Sequence, residues 1–383
     1  MGGVTVVAVV TTTLLLLVLY QVSCDSVGDK YTGSLRLVNA VFRHGQRTPA
    51  DTYANDPHIN FDFHPFGWGQ LTNDGKKQQY ELGRFLRDRY GKFLGEEFSN
   101  DQVRLQSTGV DRALMSAQLV SAGLFPPVGY QKWNPVLDWQ PIPIHSQPLD
   151  EDTLLLVRVP CARYYEELEA VKGSEEVDNY LSSLADMYTA LSQHSGSTIS
   201  DPDDVQSLYN TLLAEEHFNL TLPEWVSDYY PEKMATVTAY SFKLNVYNDE
   251  LKKLKGGSLL KKILSDSQAK LQPSNKRKMF LYAGHDSTVA NLMMALKVWD
   301  EQIPVYNIMA LIELHHIDNN YGLKIFLRNT TEHEPYLLRV PGCEDFCQLD
   351  KVIEFTKNVI PDDLTKECVS HNPNFVPPPP SGP

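Results

Sequence analysis

The chain has 383 residues, enough for one large domain with an insertion or for two domains, and enough to bury a sizeable core without relying on disulfides. Its formal net charge of −14 argues against nucleic acid as a partner and makes any local cluster of cations informative. Beyond the N-terminal segment there is no long apolar run, so no membrane span is expected in the mature chain.

Residues 1–24 carry no charged side chain, and Val4 to Leu19 is apolar apart from four threonines. That run is shorter than the ~20 residues a span needs. It leads into Val22-Ser23-Cys24, small residues suited to cleavage. This reads as a secretory signal peptide cut near Cys24, which predicts an extracellular protein. Asn219-Leu220-Thr221 and Asn329-Thr330-Thr331 are glycosylation acceptors and agree with export. Loss of Cys24 leaves Cys161, Cys343, Cys347 and Cys368, an even number that predicts two disulfides. Cys343 and Cys347 have the alternative of ligating zinc, but no Cys-His cluster lies nearby in sequence to complete such a site.

Residues 35–42, Leu-Arg-Leu-Val-Asn-Ala-Val-Phe, read as a short strand buried on both faces. The turn that leaves it carries Arg43, His44 and Arg47, at the strand end where open α/β sheets bind ligands. Gly45 lets the backbone approach a ligand, and Pro49 stops regular structure. Two cations beside a buried strand end need an anion nearby. Residues 50–70 form a long loop, and a helix opens at Thr72 or Asn73 with Leu82, Phe85, Leu86 and Phe93 at helical spacing. Val103 to Ser107 is a second strand, followed by Arg112 at the start of a helix. Trp139 to His145 reads as a further strand, an edge one because of its prolines. From about 150 to 240 helical spacing dominates, which predicts an inserted helical cap. Leu222-Pro223-Glu224-Trp225 belongs to its packing or to a substrate entrance. Residues 240–272 stay helical, and Lys252, Lys253, Lys255, Lys261 and Lys262 read as a solvated face. Lys278 to Ala283 returns to a buried strand that delivers His285 and Asp286 to a helix N-terminus, whose positive end points at the same site. Ile308–Leu314 and Leu323–Leu327 read as antiparallel strands. Residues 372–383 read as a disordered, proline-rich tail.

Arg43-His44-Gly45-x-Arg47-x-Pro49 resembles the signature of the histidine acid phosphatases, branch 2 of the histidine phosphatase superfamily. The likeness continues through Ser107-Thr108-x-x-Asp111-Arg112 and Leu124-Phe125-Pro126-Pro127. It extends to Gly284-His285-Asp286 and the block from Phe326 to Tyr336. It spans about residues 33 to 369, and is nearest to the prostatic and lysosomal branch in a secreted form. The resemblance implies an α/β fold, phosphoglycerate mutase-like, with a mainly parallel central sheet flanked by helices. Residues 25–149 and 241–371 would form the catalytic core and 150–240 the helical cap. It also implies that Cys161 pairs with Cys368 and Cys343 with Cys347. Gln46 stands where the vertebrate enzymes usually carry another polar or small residue, and four core cysteines stand where they have six.

By the same resemblance His44 is the nucleophile, Asp286 the proton donor, and Arg43, Arg47, Arg112 and His285 hold the substrate phosphate. The chemistry fits the residue types. Arginine supplies planar donors of permanent charge that match phosphate oxygens through the transition state. A histidine attacking phosphorus gives a phosphohistidine that water then cleaves, and a carboxylic acid protonates the leaving alcohol. Phosphate monoesters are the expected substrates, with an acid pH optimum, no cofactor and no metal. A homodimer is the assembly considered. The rivals are a phytase or other inositol-phosphate phosphatase of the same fold, an inactive secreted binding relative, and a metal-dependent phosphohydrolase using His285 and Asp286 as ligands. Three arginines beside those two residues would repel a metal cation.

Overall fold

The computed structural model describes residues 33–378; the signal-peptide reading of 1–24 and the end of the proline-rich tail lie outside the described residues. The chain begins β1 (Leu35–Arg43), α1 (Asn73–Leu94), β2 (Val103–Ser107), α2 (Asp111–Leu124) and β3 (Ile144–Ser146). A long helical stretch follows: α3 (Ala162–Lys172), α4 (Glu175–Ser183), α5 (Ala185–Ser195), α6 (Pro202–His217), α7 (Glu232–Leu244), α8 (Asp249–Lys255) and α9 (Gly257–Lys270). Then come β4 (Met279–Gly284), α10 (Asp286–Ala295), β5 (Met309–Ile317), β6 (Asn320–Arg328), β7 (Tyr336–Leu338), β8 (Cys347–Gln348), α11 (Leu349–Thr356) and α12 (Leu364–Glu367).

The strands form one mixed sheet in the order β3-β2-β4-β1-β5-β6-β7, with β8 added to β6. Its central strands are mostly parallel: β3, β2, β4 and β1 run together, and β5 to β8 turn back antiparallel. β5 and β6 join through Asp318 and Asn319, whose φ angles of 48° and 65° suit a two-residue hairpin. Side chains of β1 alternate between the sheet's two cores. Val38, Ala40 and Phe42 meet Leu82 and Leu86 of α1, while Leu37 and Val41 meet Val289 and Leu292 of α10. Phe85 and Phe93 pack, partly buried, on the α1 side. Thr72 caps α1 by accepting a 3.1 Å hydrogen bond from the Gly75 N–H.

The expected strand over 139–145 is shorter than its sequence implies. Only Ile144–Ser146 pairs, at the sheet edge, because Pro141 and Pro143 have no N–H to give to the ladder. Between β3 and β4 the helices build a core of their own, with Leu191, Val205, Leu212 and Met234 fully buried. Trp225 packs there, stacked on His194 at 5.2 Å between ring centroids and edge-on to Tyr53. A disulfide joins Cys161, just before α3, to Cys368, just after α12, and a second joins Cys343 to Cys347. Residues 372–378 form no regular element, although the Asn372 N–H donates to Glu166.

Candidate active site

β1, β2 and β4 end level with one another, Arg43 opposite Gly284 and Ser107 opposite Ala283. The next residues, His44, Thr108 and His285, therefore meet at one edge of the sheet. The His44 N–H donates to the Gly284 carbonyl at 3.0 Å, and the Thr108 N–H to the Ala283 carbonyl at 3.1 Å. α1 leaves β1 on one face and α10 leaves β4 on the other, so a crevice opens between the two turns.

His44 is held in one neutral tautomer by its neighbours. Its Nδ1 lies 2.8 Å from the Gly45 carbonyl, which can only accept, so Nδ1 carries the proton. Its Nε2 lies 3.1 Å from Nε of Arg112, which can only donate, so Nε2 presents a lone pair. Burial pushes the imidazole pKa well below its ordinary value, and Arg112, Arg43, His285 and Arg47 push it the same way. A neutral, oriented imidazole thus persists into acid solution.

Arg43 continues the face of β1 that carries Leu37 and Val41, which is the α10 side. Its Nη2 sits 3.0 Å from Oδ2 of Asp286, its Nη1 donates to the Pro304 carbonyl, and its guanidinium lies 4.3 Å above the Tyr306 ring. Arg47 donates to the Thr48 carbonyl at 2.9 Å, and a bridge to Leu71 anchors its backbone. Arg112 is pushed down to about 10 by burial and by Arg47, and still keeps its charge at any acid or neutral pH. His285 contacts the Thr108 hydroxyl through Nε2 at 3.0 Å, with its ring 5.4 Å from that of His44. Burial and Arg112 push its pKa down to about 3, so it is neutral at pH 5. Asp286 accepts from the Ser287 N–H at 2.8 Å. Burial pushes its carboxyl up, but Arg43, His285 and that N–H outweigh burial and hold it below the usual carboxylate range.

All six expected site residues come together. His44, Arg47, Arg112, His285 and Asp286 line one cavity of about 440 Å³, and Arg43 lies fully buried against Asp286. Gly45 also sits in a tight backbone contact. A Cβ there would come within 2.4 Å of the Gly75 carbonyl, and one on Gly75 within 2.0 Å of the Gln46 carbonyl. Both glycines let the loop that carries His44 rest backbone-to-backbone on the start of α1. Gly75→Ala is therefore expected to lower kcat and to cost about 1–3 kcal/mol of stability through overpacking. A urea midpoint and kcat both at wild-type values would show that the contact tolerates a methyl group.

Several supporting residues were invisible in the sequence. Gln79 of α1 donates to the Arg43 carbonyl at 3.2 Å and to Oδ1 of Asn307 at 3.0 Å, and the Asn307 N–H donates to the His44 carbonyl at 3.3 Å. Tyr306 comes with Asn307, because β5 runs antiparallel beside β1 and pairs Met309 with Phe42. Its hydroxyl is buried and has no hydrogen-bond partner among the described residues. Gln46 ties the loop to the end of α6 by donating from Nε2 to the His217 carbonyl at 3.3 Å. The lysine run also needs correcting. Lys252 and Lys253 do pair with Asp249, Glu250 and Glu367 on the outer face, but Lys255 lines the cavity with His44. Helical periodicity places the turn of α8 after Leu251 and Leu254 on the inward side, and Lys255 follows them.

The sequence profile described as "Histidine phosphatase superfamily (branch 2)" matches residues 34–318. Prostatic acid phosphatase of Homo sapiens is 41% identical over 345 residues, covering 88% of this chain and 89% of that protein. The Bos taurus protein of the same name is 39% identical over 363 residues, covering 93% of each. Lysosomal acid phosphatase of Homo sapiens is 36% identical over 340 residues, 88% of this chain and 80% of its own. Among solved structures, the phytase from Citrobacter braakii superposes with a TM-score of 0.65 at 18% identity, covering 88% of this chain and 100% of its own, a likeness of fold.

Proposed function

This chain belongs to the histidine phosphatase superfamily, branch 2, and from that membership and the site geometry we propose that it is an acid phosphatase hydrolysing phosphate monoesters through a phosphohistidine. The observation that carries the reading is the single neutral tautomer of His44, with Nε2 facing Arg112 inside a cavity that Arg47 also lines. Arg43, Arg47 and Arg112 hold the phosphate oxygens and His285 adds a donor. Nε2 of His44 attacks phosphorus in line while the ester oxygen leaves and takes a proton from Asp286. Water then cleaves the phosphorus–nitrogen bond, with Asp286 as the base. The arginines already neutralise the charge, so activity is expected to survive EDTA.

The covalent step is tested by adding a small alcohol as a competing acceptor. A common phosphoenzyme partitions between water and alcohol in one ratio whatever ester formed it. A ratio that changes with the leaving group would mean direct attack by water.

The pH dependence follows from the two shifts. His44, with its pKa lowered, loses its lone pair only as pH falls through that low value, so the acid side stays active. Asp286, also lowered, is mostly ionised in the free enzyme above its own low value. The proton then enters with the substrate, as the phosphomonoester monoanion, whose second pKa is about 6, and passes through Asp286 to the leaving oxygen. We expect kcat/KM to fall as pH rises through the substrate's second pKa, and that limb to move when an ester of different second pKa is used. A limb fixed at one pH for both esters would place the proton on the enzyme instead.

The helices of 150–240 act as a cap over this site, a reading supported by Gln206 and Asn210 of α6 in the cavity wall. Secretion, glycosylation at Asn219 and Asn329, and a homodimer belong to the same proposal. Glycosylation is supported by Asn219 being exposed and Asn329 partly so. No helix among the described residues is long and apolar enough to cross a membrane. The phytase alternative rests on fold alone, whereas the acid phosphatases match at 36–41% identity.

A further inference from the structure

The cavity is much larger than a phosphoryl group requires. At about 440 Å³ it has the volume of a site for a whole small molecule. His44, Arg47 and Arg112 line it, and so do Lys255 and Arg158 together with Tyr164, Tyr165 and Phe242. The charged groups that act most on Lys255 are Arg158 and Asp203. Lys255 differs from the other lysines of its helix. Lys252 and Lys253 have carboxylate partners, whereas Nζ of Lys255 donates to the Val157 carbonyl at 3.3 Å, lies 4.4 Å from the centre of the Tyr164 ring, and has no carboxylate ion pair among the described residues. Asp203 lines the same wall, but its Oδ1 accepts from Ser241 and, at 3.0 Å, from Asn245. A cation turned inward with one weak acceptor and no counter-charge in contact is costly unless an anion reaches it.

Resting on the phosphatase reading above, we propose that Lys255, with Arg158, forms a second anion subsite that selects phosphomonoesters bearing a further carboxylate or phosphate away from the scissile group. The linking part of the substrate lies along Tyr165 and Phe242. Burial, with help from Arg158, pushes Lys255 down to about 8, so in the acid range where the enzyme works the ammonium is fully charged. Asp203 does not cancel it. Burial raises the Asp203 pKa, which weakens its negative charge in acid, and its oxygen is already engaged by Ser241 and Asn245.

The test uses phosphate monoesters of ω-hydroxy acids of increasing chain length, the uncharged alkyl phosphates of matching length, and an α,ω-bisphosphate series. The full-length enzyme is expected to prefer the charged member at one chain length, by roughly tenfold in kcat/KM for a charge-assisted hydrogen bond. Lys255→Met should erase that ratio through KM, and Lys255→Arg should keep it. Preference for the acid or for the bisphosphate identifies which anion the subsite takes. Equal kcat/KM for charged and uncharged members at every length overturns the proposal, and so does a preference that survives Lys255→Met. Failure of the phosphatase reading has a separate signature, the absence of hydrolysis of any ester in any series.

Discussion

His44→Ala is expected to abolish turnover of every phosphate monoester, with a loss of roughly 10⁴-fold or more, the scale reached when a covalent nucleophile is removed. No other group in the site can replace it. His285 points its Nε2 at the Thr108 hydroxyl and lies 5.4 Å away, and Asp286 is paired with Arg43. The variant keeps Arg43, Arg47 and Arg112, so inorganic phosphate is still expected to bind. It also keeps the backbone hydrogen bond from residue 44 to Gly284, so the fold is expected to persist. Turnover near that of the wild type, in a variant with native circular dichroism, would end the covalent mechanism.

Asp286→Asn is expected to divide substrates by leaving group. An alkoxide needs a proton as it departs, and loss of a positioned acid costs about 10²–10⁴-fold. Nitrophenolate leaves without one, so nitrophenyl phosphate should lose far less. Asparagine keeps the shape and still accepts from the Ser287 N–H, which preserves the N-terminus of α10. It removes the negative charge 3.0 Å from Nη2 of Arg43, so phosphate inhibition is expected to be as strong as in the wild type or stronger. Measuring kcat/KM for alkyl and nitrophenyl phosphates across pH settles the role. Equal losses for both esters would mean that Asp286 is not the acid.

Much of this site was legible before folding. Leu35–Arg43, Val103–Ser107 and Met279–Gly284 are strands because their apolar residues must be buried, and each is followed by a turn bearing Arg or His. Thr72 or Asn73 announces the start of α1, and the apolar runs of β5 and β6 announce antiparallel strands. These signals are local, since a strand, a cap and a turn depend on residues a few positions apart. Where local signals conflicted, as prolines did with the strand over 139–145, the structure kept only Ile144–Ser146.

Tertiary structure alone decided the rest, and for one reason: the deciding contacts join residues far apart in the chain. The register of β1 and β2 on β4 brings His44, Thr108 and His285 together. Arg112 selects the His44 tautomer across 68 positions, and Gln79 reaches Asn307 across 228. A Cβ on Gly45 would strike the backbone of Gly75, a contact between residues 30 positions apart. Lys255 is the same residue type as Lys252 and Lys253, and only the packing of Leu251 and Leu254 of α8 against Tyr164 and Leu168 of α3 turns it toward the cavity. The sequence by itself determined which charged and hydrogen-bonding side chains follow the strands, because charge and hydrogen-bonding capacity belong to the side chain. Their distances, tautomers and the reach of the cavity beyond them arise only when the strand ends align, because a contact energy exists only once both partners have been placed.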